Sequence, residues 1–171
     1  MKKLLILLLL SLGFIGSAYA NEVADSLGEV NVQLESGNHE NGVISYKGNV
    51  KDGKKDGKWT YWNKKGQKDE EKNYKDGDLV SVTDYTYHEN GVISYKGKVK
   101  DGKKDGTWTW WYANGQKSYE VHYKDGKLDG KETEWYENGQ IKTEVNYKDG
   151  TSVSHTNYSY YENSQIKTEV N

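Results

Sequence analysis

The side chains that could carry chemistry in this chain are four histidines, 26 carboxylates and a scatter of serines, and cysteine is absent. His39 and His88 occupy the same place in two near-copies of one segment, whereas His122 and His155 stand in other contexts. None has a partner at metal-ligand spacing. A catalytic site also needs a nucleophile, a base and an orienting group brought together, and no such set emerges. We therefore expect no enzyme, no metal site and no cofactor.

The aromatic side chains are better candidates for a functional surface, because they cluster in two matching segments. These clusters comprise Trp59, Tyr61 and Trp62, and Trp108, Trp110 and Trp111. In an extended strand, alternate residues face opposite sides, so Trp62 and Trp111 lie opposite the other rings of their clusters. Clustered tryptophans are more often core than ligand platform. Exposed rings nevertheless serve as binding anchors, which makes Trp62 and Trp111 our candidate contact residues.

These aromatic segments belong to a repeated unit of about 24 residues. One series of glycines recurs at intervals of 24 or 25 residues, at Gly42, Gly66, Gly91, Gly115 and Gly139. A second series runs beside it, at Gly53, Gly77, Gly102, Gly126 and Gly150. A fixed period of this size predicts an array of small structural units. Two glycine turns in each unit leave room for two short strands, so each unit is predicted to be a β-hairpin.

The segments between the glycines alternate apolar and polar residues with the period of two that is typical of half-buried strands. Ile141, Thr143 and Val145 share one face, for example. Asn-Gly and Asp-Gly pairs supply the positive φ angles that tight hairpin turns require. We assign structural turn roles to six glycines, which are Gly53, Gly57, Gly102, Gly106, Gly126 and Gly130. The predicted fold is all-β, with tandem antiparallel hairpins stacked into an elongated, twisted sheet.

Two of the units are irregular. Ser81 and Ser154 stand where intact units have Gly57, Gly106 or Gly130, and each is followed by one additional residue before the next turn. The extra residue predicts either a β-bulge or a longer loop. The strand after Gly66 also breaks the alternation with Lys68, Glu70 and Lys72, which predicts an edge strand or a weak point in the array.

The N-terminal segment 1–20 has the features of a secretory signal peptide. Lys2 and Lys3 precede an apolar run of about a dozen residues, and Ala18-Tyr19-Ala20 forms a small-x-small cleavage pattern. We expect an exported protein, periplasmic or secreted after cleavage near Ala20, with no membrane span. The predicted organisation is a signal peptide at 1–20, a lead-in segment at 21–37 and a repeat domain at 38–171.

Charge argues against a nucleic-acid partner. All 24 basic residues are lysine, and removal of Lys2 and Lys3 leaves 22 of them against 26 acidic side chains. The mature chain is therefore mildly acidic. It also lacks the arginine side chain, whose planar fork is preferred for contacts with phosphates and base edges.

The segment 123–140, Tyr-Lys-Asp-Gly-Lys-Leu-Asp-Gly-Lys-Glu-Thr-Glu-Trp-Tyr-Glu-Asn-Gly-Gln, resembles the MORN-repeat variant family of bacterial proteins, including antitoxin-like proteins of the YwqK type. The resemblance covers about residues 38–171. Its signature is intact at Gly53/Gly57, Gly102/Gly106 and Gly126/Gly130 and is damaged at Gly77 and Gly150. The resemblance implies stacked hairpins and a role as a scaffold or interaction module, and it implies no enzyme.

A weaker similarity links the aromatic strands to cell-wall-binding repeats that hold choline or glycan between rings. The main hypothesis from the sequence is therefore an exported, non-enzymatic scaffold that binds a macromolecule, in particular a protein, through its sheet surface. The alternative is an aromatic module that binds carbohydrate, choline or the cell wall.

Overall fold

The computed structural model describes residues 32–162 and 165–170, so the predicted signal peptide and residues 21–31 of the lead-in lie outside the described part. The described chain is all-β and forms tandem antiparallel hairpins in one open sheet, which confirms the predicted fold class. Its strands are β1 (Val32–Asn38), β2 (Ile44–Lys51), β3 (Lys54–Trp62), β4 (Lys68–Lys75), β5 (Asp78–Tyr87), β6 (Ile93–Lys100), β7 (Lys103–Lys104), β8 (Gly106–Trp111), β9 (Lys117–Lys124), β10 (Lys127–Leu128), β11 (Gly130–Trp135), β12 (Ile141–Lys148), β13 (Thr151–Tyr160) and β14 (Ile166–Val170).

The strands lie side by side in chain order, with the short strands β7 and β10 pairing only with β6 and β9. Each hairpin therefore contacts the hairpins next to it in sequence, as the repeat pattern predicts. β1 pairs with β2 along its full length, so the sheet already includes residues 32–37 of the predicted lead-in segment. The domain limits themselves stay a prediction.

Two-residue turns join the strands at one of the two ends of the strands. We call this side of the sheet the Asp-Gly edge. Both turn residues have positive φ, as in Asp52 (50°) and Gly53 (75°). This is the geometry of a type I′ turn, whose twist matches that of the flanking strands. The same pair recurs at Asp76-Gly77, Asp101-Gly102, Asp125-Gly126 and Asp149-Gly150. Gly53, Gly102 and Gly126 thus lie in turns.

The opposite edge, which we call the Asn-Gly edge, carries longer turns. In the first of them the amide of His39 donates to the Val43 carbonyl at 2.7 Å, and the amide of Gly42 donates to the His39 carbonyl at 2.9 Å. A register shift lies on the strand side of the turn, between Gly37 and Asn38. Equivalent shifts occur at Trp62, Tyr87, Trp111, Trp135 and Tyr160.

Gly57, Gly106 and Gly130 lie inside or at the start of strands, at a break in pairing. All three have positive φ, of 68°, 75° and 117°. At the second site two residues of β6, Gly97 and Lys98, face the segment 105–108 of the next strand. This bulge lifts Trp108 over β6. Glycine suits the position because its backbone adopts positive φ without steric cost.

The irregular units also have a bulge in the second strand, and this bulge is smaller than that of the intact units. In β5 the pairing passes from Ser81 to Leu79 opposite consecutive residues of β4, which leaves Val80 as the extra residue. Val153 is the corresponding residue of β13. The turn that follows β5 has the same span, His88 to Val92, as the turn from Asn63 to Gln67. The additional residue after Ser81 or Ser154 is therefore neither a larger bulge nor a longer loop; it lengthens β5 and β13, which have ten residues each.

The strand after Gly66 is not an edge strand, because β4 pairs with β3 on one side and with β5 on the other. The prediction of an edge there is wrong. Lys72 is accommodated within the sheet because its ammonium group forms an ion pair with Glu70 at 2.5 Å and lies 4.9 Å from the centre of the Tyr61 ring. Long lysine side chains cover aromatic surface with their stems while their charge stays near water.

Candidate binding surface

One face of the sheet, the aromatic face, holds the first ring cluster. Trp59 is 1% exposed and packs between Tyr46, at 5.9 Å between ring centres, and Tyr61, at 6.5 Å, while Tyr74 meets it edge-on at 6.4 Å. Its indole nitrogen donates to the Asn49 carbonyl at 2.9 Å. A fully buried ring with a satisfied polar atom is a core residue.

A second cluster repeats this arrangement in the next copy of the duplicated segment. Trp108, which is 8% exposed, contacts Tyr95 at 5.6 Å, Trp110 at 6.2 Å and Tyr123 at 5.7 Å. Its indole nitrogen donates to the Lys98 carbonyl at 3.0 Å. The aromatic face is thus the apolar core of a sheet that has one layer, and each ring pair contributes about 0.5–1.5 kcal/mol beyond its buried area.

Lysines of the chain cover both clusters. The ammonium of Lys55 lies 4.1 Å from the centre of the Trp59 ring and donates to the Tyr61 hydroxyl at 2.8 Å. Lys104 lies 4.2 Å from the Trp108 ring. These are cation–π contacts of the kind that aromatic cages offer to quaternary ammonium ligands. The place that a choline group would take over either tryptophan is occupied by a side chain of the protein.

The opposite face, the polar face, is organised by half-buried carboxylates. Glu71 accepts hydrogen bonds from the Tyr85 hydroxyl at 2.6 Å, from Lys68 at 2.9 Å and from Lys58 at 3.3 Å. Burial by itself raises the pKa of Glu71, but these hydrogen bonds outweigh it and lower the pKa to about 2. Burial and the bond to Glu71 raise the pKa of Tyr85. Glu71 is therefore ionised at neutral pH and serves a structural role.

Equivalent carboxylates continue this pattern along the sheet. Glu120 pairs with Lys117 at 2.5 Å, and Glu144 forms an ion pair with Lys131 and accepts from the Tyr158 hydroxyl at 3.0 Å. Thr109 and Thr133, each 6% exposed, lie in the strands between them. The polar face is a surface of paired charges over buried threonines.

Trp62 and Trp111 lie on this polar face. Trp62 pairs directly with Lys68, whose ammonium bonds Glu71, and Trp111 pairs with Lys117, whose ammonium bonds Glu120. Both tryptophans are half-buried rather than fully exposed. Sequence reasoning missed Trp135, which occupies the same position after the register shift in a third copy and has the Lys117 ammonium 5.6 Å from its ring. The repeat period, counted on from Trp111, is the signal that identifies it.

The turns of the Asn-Gly edge are connected by a ladder of hydrogen bonds. The ring nitrogens of His39 and His88 bond the carbonyls of Trp62 and Trp111, each at 2.7 Å. The Tyr112 hydroxyl donates to the Trp135 carbonyl at 2.7 Å. Both histidines are half-buried and hold neighbouring turns together. Each bond joins one repeat of the array to the next.

The part of the chain that the structure describes contains no cluster of three or more histidine, aspartate or glutamate side chains arranged to hold a metal ion. Within the same residues no helix has the length and apolar character needed to cross a membrane.

Two paired strands and a bulge glycine, Gly106 or Gly130, recur in each repeat unit between β7 and β12. The model of the MORN repeat variant family matches residues 104–125 and 128–149, which are two consecutive units. These two segments are similar to the MORN repeat variant. No curated protein matches the chain. The matched segments coincide with β8–β9 and β11–β12, so they form part of the continuous β-sheet.

Proposed function

We propose that this protein is an exported, non-enzymatic scaffold that binds another protein through its sheet surface. The observation that carries the proposal is the single-layer sheet, whose polar face presents half-buried tryptophans at one repeated position. Trp62, Trp111 and Trp135 recur along the array beside paired lysines and carboxylates. Binding energy in protein interfaces concentrates in aromatic anchors surrounded by polar groups, which is the composition of this face.

The alternative, an aromatic choline or cell-wall binder that uses the tryptophan clusters, receives less support. Its ligand would have to displace Lys55 or Lys104 from rings that these lysines already cover at 4.1 and 4.2 Å. The proposal of export is supported by the signal-peptide pattern of residues 1–20, so we expect the partner in the periplasm or outside the cell.

The proposal is tested by capture of partner proteins from an envelope extract of the producing organism on the immobilised mature chain. Replacing both Trp62 and Trp111 with serine should remove the captured protein and lower the urea midpoint only modestly, because neither ring belongs to the core. Val153→Ser is the matched control, since Val153 is 64% exposed outside the tryptophan positions. Capture that survives the double substitution, or is lost equally in the control, would refute the assignment of these rings.

A further inference from the structure

The hydrogen-bond ladder of the Asn-Gly edge changes at the two irregular units. There the second strand is one of the long strands β5 and β13, ending in a tyrosine that turns back toward the preceding strand. The Tyr87 hydroxyl donates to the Lys68 carbonyl at 2.9 Å, and the Tyr160 hydroxyl donates to the Ile141 carbonyl at 2.8 Å. Each tyrosine bonds the first residue of the strand before its own, so the two bonds are equivalent.

A cleft opens beside each of these tyrosines. The first cleft, of about 510 Å³, lies between the turn at 63–67 and the end of β5, and the second, of about 500 Å³, lies between the turn at 136–140 and the end of β13. Both are open depressions on the sheet surface and not enclosed pockets. The lining positions 136–138, 140, 159 and 160 of the second cleft correspond one for one to positions 63–65, 67, 86 and 87 of the first. The clefts are therefore two copies of one site.

The positions at which the two clefts agree define the ligand they share. Both have a glutamine, Gln67 or Gln140; both have a tyrosine, Tyr87 or Tyr160; and both have a β-hydroxyl residue, here Thr86 or Ser159. The common chemistry is thus an amide, a hydroxyl and an aromatic ring.

Charge differs between the clefts. Lys64 in the first is replaced by Glu137 in the second. The first cleft is also lined by Lys65, Asp69 and Glu89, which have no charged counterparts among the residues described as lining the second, so the matching positions carry no common charge. The shared site therefore favours a neutral ligand.

We propose that the two clefts are equivalent binding sites for a neutral saccharide. A sugar ring offers hydroxyl groups that pair with amide and hydroxyl side chains, and a C–H face that packs on a tyrosine ring. The Gln67 amide accepts a hydrogen bond from Asn63 at 3.1 Å and donates to the Gly91 carbonyl at 3.3 Å, and the Gln140 amide accepts from Asn138 at 2.6 Å, so bonds within the chain hold both side chains at the clefts. The sites use none of the tryptophans and are independent of the protein-binding proposal.

The distance between the two clefts favours a polymeric ligand that can reach both. β4 and β12 are separated by six interstrand steps of about 4.8 Å, which places the clefts about 29 Å apart along one edge. A saccharide chain long enough to reach both sites gains from the high effective concentration of the second contact. A short oligomer binds each cleft separately.

Titration calorimetry of the mature chain with β-1,4-linked N-acetylglucosamine oligomers tests the inference. The trisaccharide should bind with two molecules per chain, and an oligomer that spans both clefts should bind at least about tenfold more tightly with one per chain. Ser159→Tyr fills the second cleft and should reduce the trisaccharide stoichiometry to one. Adding Thr86→Tyr should abolish binding.

Ser152→Tyr is the matched control, because it places the same ring at an exposed position at the other end of β13. It should keep a stoichiometry of two, and the urea midpoints of all variants should agree. The inference is overturned if wild-type protein takes up neither oligomer, or if the double variant still binds. Capture of a protein partner is measured separately and responds to Trp62 and Trp111, so either proposal can fail without the other.

Discussion

At the scale of residues, the tryptophan cores depend on glycines in the neighbouring strand. A Cβ atom added at Gly48 would lie 2.2 Å from the Trp59 ring, and one added at Gly97 would lie 2.7 Å from the Trp108 ring. The chain itself shows the alternative pairing. At the equivalent positions of a later repeat, Val121 replaces Gly48 and Glu132 replaces Trp59. A tryptophan at this position therefore occurs together with a glycine at the facing position of the neighbouring strand.

We expect Gly48→Val to destabilise the protein by about 1–3 kcal/mol, because the new side chain must displace the Trp59 ring. Combining it with Trp59→Glu recreates the pair of the later repeat, so the double variant should lose less stability than the sum of the two single changes. Urea unfolding of the three variants measures the coupling. Lys47→Val, a change on the opposite face, is the control, and additive losses would contradict the proposed contact.

A second residue-scale prediction concerns Glu71, whose pKa falls from an ordinary value of 4.5 to about 2 in the folded protein. Because the folded pKa lies below the unfolded one, the stability that the carboxylate supplies is complete above about pH 4.5 and is lost as the pH falls toward 2. Glu71→Gln should therefore lower the urea midpoint at pH 7, and its difference from wild type should shrink below pH 4.5. An unchanged difference at pH 3 would refute this.

At the scale of elements, each second strand must bulge before it resumes pairing, and the chain uses two designs. Gly106 supplies the larger bulge with a φ of 75°, and nothing lies within 4 Å of the position where a Cβ would be. A side chain at this site would therefore meet no steric clash with neighbouring residues. It would lower the stability through the free energy of holding a residue with a Cβ at positive φ. Ser154 stands at the same position of an irregular strand, where no positive φ is needed.

Gly106→Ala should therefore destabilise the protein by about 1–2 kcal/mol, the usual penalty for a left-handed conformation in a residue with a Cβ. Ser154→Ala should cost much less, since the hydrogen bond that the Ser154 hydroxyl accepts from Asn146 at 2.8 Å is exposed to solvent. Chemical denaturation of both variants gives the comparison. Equal midpoint shifts would contradict the view that the larger bulge needs a residue at positive φ and the smaller bulge does not.

At the scale of the whole molecule, stability is distributed among neighbouring hairpins. Every strand pair joins elements adjacent in the chain, apart from the short β7 and β10, which are bypassed. The hydrogen bond from His39 to the Trp62 carbonyl and the bond from His88 to the Trp111 carbonyl are equivalent. They join the same positions in two copies of one segment, and each is 2.7 Å long. Removing a whole repeat pair should leave the remaining contacts intact.

Deletion of residues 42–90 should thus leave a cooperatively folded protein, because Asn41 then joins Gly91 and His39 gains the Trp111 carbonyl as its partner. The denaturant m value should fall roughly in proportion to the surface removed. Tryptophan fluorescence during urea unfolding provides the measurement. A shortened chain without a cooperative transition would show that contacts beyond nearest neighbours hold the sheet together.

Local sequence features determined the all-β class, the hairpin period and the Asp-Gly turns, because positive φ and strand alternation are properties of a few adjacent residues. They also placed Trp62 and Trp111 opposite the other rings. The half-burial of those rings, the hydrogen bonds of the half-buried histidines and the interior position of β4 depended on tertiary structure.

The physical reason is that burial depends on which residue lies across the sheet. Trp59 is buried because Gly48 leaves room beneath it and Lys55 covers it, and Lys72 is tolerated because Tyr61 and Glu70 lie beside it. The two clefts likewise arise from a turn and a strand end that meet only when the strands pair. Periodicity in the chain predicts the repeated unit, and only the pairing of units decides which repeated side chains are core, which link the turns and which line a site.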